Sequence, residues 1–170
     1  MYRIKLLIID LDKCVFDTFS MRLDTHHSAS IPDSACSYGD EHYLGKIKIE
    51  KILVTTGYEK FQRAKAAKIG VERFFSEIIV DAIDDPATRK GKQRIFEEAM
   101  YGRRLWPWEI MVIGDNPESE LKAGRALGMV TVQTLRPTIE RWSEADHHIS
   151  SFAELPALVT LLEECGQDFE

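Results

Sequence analysis

The sequence predicts an α/β fold of three layers, with helices packed on both faces of a central parallel sheet. Three observations lead there. Short apolar runs, among them Leu6–Ile9, Ile52–Val54 and Ile110–Ile113, show little polar alternation, as strands buried on both faces do. Segments with helical spacing of apolar residues alternate with these runs, which gives βαβ units and a parallel sheet. Right-handed crossovers then distribute the helices over both faces. Several runs also end on a carboxylate or hydroxyl, at the sheet edge where open α/β folds hold ligands.

The first strand is Ile4–Ile9, closing on Asp10 and Asp12. Residues i and i+2 of an extended segment point the same way, so these two carboxylates can converge. From Thr18 to Gly45 the chain is polar and irregular, rich in Ser, Asp, Gly and Pro. Connections of that length tend to be lids, binding loops or mobile segments. His26, His27 and His42 fall within it as candidate metal ligands, although adjacent histidines without a regular scaffold also suit a solvated loop. Order returns over Ile47–Gly57, a second central strand ending in Thr55, Thr56 and Gly57. A helix spaced on Phe61, Ala64, Lys65, Lys68 and Ile69 follows and stops at Gly70. Phe74–Asp81 holds the third strand, and Lys90-Gly91-Lys92 precedes a helix built on Ile95, Phe96, Ala99 and Met100. Glu109–Asp115 repeats the opening design of a short apolar strand closing on an acid. The helix after Asn116 ends at Gly128, Met129–Leu135 is a strand, and Asp146–Ile149 a short edge strand. Ser151 caps the last helix, with Pro156 in its first turns.

At 170 residues the chain is expected to form one domain over 1–170, with 18–45 as an irregular insert. An apolar content of 44% and charged content of 29% are those of a water-soluble globular protein. The net charge of −6 argues against a nucleic-acid groove. Three cysteines without metal spacing (Cys14, Cys36, Cys165) suit a reducing compartment. No apolar run approaches the roughly 20 residues that span a bilayer, and Met1-Tyr2-Arg3 leads directly into a strand. A cytoplasmic protein without nucleic-acid or membrane partners is the expectation.

Parallel strands bring Asp10, Asp12, Thr55, Lys90 and Asp115 to one edge. That collection is chemically coherent. Carboxylates that would otherwise repel can share Mg²⁺, a hard cation with a preference for oxygen. A hydroxyl and an ammonium supply donors to phosphate oxygens. A carboxylate can attack phosphorus to form an aspartyl phosphate, while a second one handles the proton of the leaving oxygen.

In their order, Asp10-Leu11-Asp12, Leu53-Val54-Thr55-Thr56-Gly57, Lys90 ahead of Ile95-Phe96, and Gly114-Asp115-Asn116-Pro117-Glu118-Ser119-Glu120 resemble the haloacid dehalogenase (HAD) superfamily. The resemblance covers Tyr2 to Leu135 and implies a Rossmann-like HAD core and a hydrolase of the phosphatase type. It implies that Asp10 is the nucleophile and a Mg²⁺ ligand, and that Asp12 is the general acid/base, its carbonyl also reaching the metal. It further implies that Thr55 and Lys90 hold the phosphoryl group, with Lys92 a competitor for the lysine role. Asp115 would bind Mg²⁺ directly, and Glu120 would help to position it. The partner implied is a phosphorylated substrate, small or macromolecular.

Departures from the pattern are Lys13, Cys14 and above all the 18–45 segment, which stands where relatives carry a helical cap or a helical connection. Cys14 is read as a small buried thiol. Two alternatives stay open: a 2-haloacid dehalogenase, against which Asp12 argues, and a catalytically silent binding protein on the same fold.

Overall fold

The computed structural model describes residues 3–21 and 31–165. Six parallel strands form the central sheet: β1 (Leu6–Ile9), β4 (Glu50–Gly57), β5 (Glu77–Ala82), β6 (Ile110–Gly114), β7 (Val130–Thr134) and β8 (His147–Ile149). Their order across the sheet is β5-β4-β1-β6-β7-β8. A separate antiparallel pair, β2 (Phe16–Asp17) and β3 (Cys36–Ser37), lies beyond the end of β1. The helices are α1 (Glu59–Lys68), α2 (Lys92–Gly102), α3 (Lys122–Ala126) and α4 (Leu155–Cys165). The three-layer α/β arrangement is therefore the one the apolar runs predict.

β1 is the axis of the molecule. Leu6, Leu7, Ile8 and Ile9 are all at most 1% exposed, because alternate residues feed two different cores. Leu7 and Ile9 join Leu53, Met111 and Ile113 on the face covered by α1 and α4. Leu6 and Ile8 join Ile52, Val54 and Val112 on the face covered by α2 and α3. Burying each such side chain contributes about 1.5–3 kcal/mol, so the sheet centre has little freedom to shift. On the second face α3 approaches β6 closely: a Cβ on Gly124 would lie 2.9 Å from Val112 Cγ2, which only glycine avoids.

Strand register then fixes the working edge. Ile9 sits level with Leu53 on β4 and with Ile113 on β6. Asp10 is the first residue past the end of β1, its N–H donating to the Ile113 carbonyl at 2.9 Å, while β4 runs on through Thr55 to Gly57 and β6 ends at Gly114 just before Asp115. The chain order reverses direction at β1, which makes this the topological switch point at which α/β folds open a crevice.

Of the 18–45 segment, residues 22–30, with His26 and His27, lie outside the described residues. The described part contains the β2–β3 pair and short helical turns at Thr18–Met21 and Glu41–Lys46. It is fastened to the core by Asp40, whose carboxylate takes two bonds from Arg136 at 2.8 and 2.9 Å. The same carboxylate accepts from Ser151 Oγ and Phe152 N, both at 2.9 Å. Burial pushes the Asp40 carboxyl up, but these donors outweigh it and hold the group below the usual carboxylate range. Arg136 also stacks over Tyr38 and Phe152, 4.4 and 5.0 Å from the ring centroids. His42 packs on Tyr43 and joins no metal-ligand cluster among the described residues.

Several boundaries differ from expectation: β1 begins at Leu6, not Ile4, and β4 at Glu50, not Ile47. Phe74 and Phe75 precede the third strand instead of starting it, because a short helical turn occupies Glu72–Phe74. The helix expected from Asn116 begins with an irregular wide turn, Pro117–Leu121, broken at Ser119, and becomes regular only at Lys122. Ser151 does cap: its Oγ accepts from Ala153 N at 3.1 Å at the start of the turn that leads into α4. No helix among the described residues is long and apolar enough to cross a membrane.

Candidate active site

The loop leaving β1 turns sharply. The Leu11 carbonyl accepts from Val15 N and Phe16 N at 3.0 and 2.8 Å, and Lys13 takes a left-handed conformation (φ 56°). A non-glycine residue in that region is uncommon, and here it turns the chain back beside the two acids. Cys14 is buried in this turn, its thiol near the Ile113 carbonyl and pushed well up by burial, as a packed thiol would be.

Asp10, Thr55, Lys92, Asp115 and Glu120 line one recess of about 220 Å³ at the carboxyl edge of the sheet. Its floor is a cluster of buried charge. Lys92 Nζ donates to Asp10 Oδ1 at 2.6 Å and to Glu120 Oε2 at 2.7 Å. These three side chains are 8%, 8% and 2% exposed respectively. Glu120 is held in turn by the Asn116 amide, which donates to Oε1 at 2.7 Å. Gly114 leaves the room for this: a Cβ there would overlap the Glu120 side chain. Glu120 thus reaches back from the wide turn under the end of β6, instead of standing in solvent as an ordinary first-turn acid.

Asp10, Asp115 and Glu120 each offer an oxygen, and all three oxygens lie within 4.8 Å of one another. Three buried acids face one buried ammonium, so negative charge is in excess. The carboxyls respond accordingly. Burial, eased by Lys92 and aggravated by Glu120, raises Asp10 well above its ordinary value. Burial and the neighbouring Glu120 push Asp115 up to about 6, against the pull of Lys13 and Lys92. Burial works against the charge on Lys92, but Asp10 and Glu120 outweigh it and hold the ammonium above the usual lysine range. An all-oxygen donor set short of positive charge fits a hard divalent cation such as Mg²⁺.

Asp12 stands apart from that trio. Its carboxylate lines the recess but is bonded by Lys65 Nζ at 2.5 and 2.7 Å, by Gln62 Nε2 at 3.1 Å and by Thr18 Oγ1 at 3.2 Å. Thr55 is 1% exposed at the end of β4 and borders the same space.

Lys90 is not there, which corrects its placement among the site residues. Its side chain is exposed and pairs with Glu98 at 2.7 Å on the outer surface. What Lys90 contributes is its backbone: Asp81 Oδ1 accepts from Lys90 N and Gly91 N at 2.9 and 3.2 Å, fixing the loop that delivers Lys92. Lys92 is the first residue of α2 and lies three, four and seven residues before Ile95, Phe96 and Ala99, the buried face of that helix. That helical spacing was the available signal for choosing it. Lys65, four residues after Phe61, shares the helical spacing of α1, but nothing in the sequence pairs it or Gln62 with Asp12.

A model of haloacid dehalogenase-like hydrolases matches residues 42–128, just over half of the chain. The match contains Thr55, Lys92, Asp115 and Glu120; Asp10 and Asp12 precede it. The chain is 29% identical over 83 residues to a glyceraldehyde 3-phosphate phosphatase from Methanopyrus kandleri, which covers 49% of this chain and 35% of that protein. It therefore spans about a third of the length of that curated relative. Among solved structures it is similar to a HAD-hydrolase from Bacillus subtilis bound to magnesium, with a TM-score of 0.72 at 14% identity, covering 92% of this chain and 99% of that one. It is equally similar to an L-2-haloacid dehalogenase from Xanthobacter autotrophicus with chloropropionic acid covalently bound: TM-score 0.71, 13% identity, 92% and 98% coverage. At such identities these structures share the fold and do not separate the two chemistries.

Proposed function

The chain belongs to the haloacid dehalogenase-like hydrolases, and from that premise we propose that it is a Mg²⁺-dependent phosphomonoester hydrolase working through an aspartyl phosphate on Asp10. The observation that carries this reading is the buried cluster of Asp10, Asp115 and Glu120 around Lys92. Asp10, Asp115 and Glu120 would hold the ion, which would supply positive charge to phosphate oxygens and to the crowded carboxylates.

The remaining chemistry belongs to the side chains. Lys92 occupies Asp10 Oδ1, leaving Oδ2 to attack phosphorus. Thr55 donates to the phosphoryl oxygens, and Lys92 stabilises the charge that builds on nucleophile and phosphate. Asp12 protonates the departing ester oxygen, then takes a proton from the water that hydrolyses the acyl phosphate. Dehalogenation has no leaving oxygen to protonate and would leave Asp12, with its three partners, without a task. The phosphatase named among the relatives supports the same choice.

The direct test is activity with p-nitrophenyl phosphate and an alkyl phosphate under metal control. EDTA is expected to abolish hydrolysis and Mg²⁺ to restore it; full activity in chelator contradicts the metal assignment. The two lysines separate as well. Lys92→Gln is expected to lower kcat by about 10²-fold, the scale of losing one aligned electrostatic donor. Lys90→Gln, which touches only Glu98 on the surface, is expected to change kcat less than about twofold.

Metal binding should also follow pH. A carboxylate must lose its proton to ligate, and Asp115 sits at about 6, so protons compete with Mg²⁺ below that value and not above it. One such group weakens binding about tenfold between pH 7 and pH 5. Titration calorimetry with Mg²⁺ alone at both values checks this, and equal affinities would contradict it.

A further inference from the structure

The general acid/base of a phosphatase has to keep its carboxyl aimed at the leaving oxygen through both half-reactions. Asp12 is unusually tightly gripped for that task. Lys65 Nζ reaches both of its oxygens, at 2.5 and 2.7 Å. Gln62 Nε2 donates to Oδ2 at 3.1 Å and to the Thr56 carbonyl at 3.0 Å, tying the Asp12 carboxylate to the end of β4. Lys65 and Gln62 stand three residues apart on α1, so one helix face delivers both donors.

Lys65 is also expensive to place there. Its side chain is 3% exposed, with the ammonium 5.4 Å from the centroid of Phe16 and 5.2 Å from that of Phe61. Buried ion pairs of this kind are poor stabilisers, because desolvation offsets most of the attraction. Aromatic rings on two sides recover part of that loss and narrow the positions the ammonium can adopt. Gln62 is 5% exposed and its Oε1 has no hydrogen-bond partner, so only its NH₂ end is used, and that end points at Asp12 and Thr56. Gly57 makes the space for it: a Cβ there would overlap the Gln62 side chain. A buried lysine and a half-satisfied buried glutamine both converge on one carboxylate at the rim of the recess.

Resting on the phosphatase reading, we propose that Lys65, assisted by Gln62, is a positioning residue for Asp12, holding its carboxyl in register with the leaving-group oxygen. Lys65 is absent from the recess lining and so would not contact a phosphoryl group held there. Its influence should therefore appear only in the proton-transfer function of Asp12 and not in substrate binding.

Steady-state and rapid-quench kinetics of Lys65→Met with an alkyl phosphate and with p-nitrophenyl phosphate, which separate the first step from acyl-phosphate hydrolysis, test this. Methionine keeps the apolar stem between Phe16 and Phe61 while removing the donor. The expected result is a kcat loss of about 10–100-fold on the alkyl ester, where leaving-group protonation matters, at unchanged KM. On the nitrophenyl ester, whose leaving group needs no proton, the first release of nitrophenol should slow less than about threefold, the loss falling on the acyl-phosphate hydrolysis that follows. In an Asp12→Asn background Lys65→Met should add less than about twofold, since the group it positions is already gone. Equal slowing of the first step on both esters, or an undiminished effect in Asp12→Asn, overturns the assignment. Should Lys65→Met not fold, Gln62→Met carries the same test, with the same substrate-selective signature expected and a uniform effect on the first step contradicting it. A wild type inactive on both esters overturns the phosphatase reading and the assignment with it; an active wild type with uniform slowing of the first step overturns the assignment alone.

Discussion

Asp10→Asn is expected to eliminate turnover. The amide is isosteric, so the strand end, the Ile113 contact and the recess should persist, but an amide oxygen is a far weaker nucleophile towards phosphorus. The substitution also removes one of the three clustered acids and half of the anionic environment of Lys92. The protein itself should not suffer. Burial already raises Asp10 well above its ordinary value, so a neutral group at that position relieves desolvation instead of adding to it. Unchanged or higher thermal stability together with loss of activity is the expected pair of results, read by thermal melts and phosphate release. Wild-type rates in Asp10→Asn would exclude the covalent route.

Asp12→Asn should produce the second-largest loss, roughly 10²–10⁴-fold, the usual range for removing a general acid/base. The loss should be uneven. Esters with poor leaving groups need a proton from Asp12 in the first step and should fall furthest, while p-nitrophenyl phosphate should be limited instead by hydrolysis of the acyl phosphate. With that ester the variant is expected to show a burst of nitrophenol followed by a slow phase. A uniform loss without a burst would argue that Asp12 acts only through the structure of the site.

How much of this could be read from the residues depends on the distance over which each feature is determined. β1, β4 and β6 are legible because a strand buried on both faces is a continuous apolar run, a local property. Asp10, Thr55 and Asp115 are legible for the same reason: each follows such a run, and parallel strands must bring their carboxyl ends together. Lys90 against Lys92 is a finer question, decided by helix phase. Lys92 shares the buried face of Ile95, Phe96 and Ala99, whereas Lys90 stands before the helix and turns outward to Glu98. The contact between Asp12 and Lys65 links residues 53 positions apart and depends on how α1 packs after β4, which no local pattern encodes. The wide turn at Pro117–Leu121 escaped for a different reason. The spacing of Leu121, Gly124 and Leu127 is that of a helix, but Glu120 has to fold back to Lys92 and Asn116, and the first turn yields to it. The anchoring of the insert through Asp40 and Arg136, 96 residues apart, was equally out of reach.

The central claim is that the phosphoryl group passes through Asp10. Acid quenching during steady-state hydrolysis, followed by peptide mass spectrometry, measures this directly. The Asp12→Asn variant with p-nitrophenyl phosphate and Mg²⁺ is the best material, because it should accumulate the acyl phosphate. The account predicts one hydroxylamine-labile phosphoryl group on the peptide containing Asp10, absent when Asp10 is also changed to Asn. Phosphate release at the normal rate with the label on another residue, or with Asp10 unmodified in a variant that shows a burst, would contradict it.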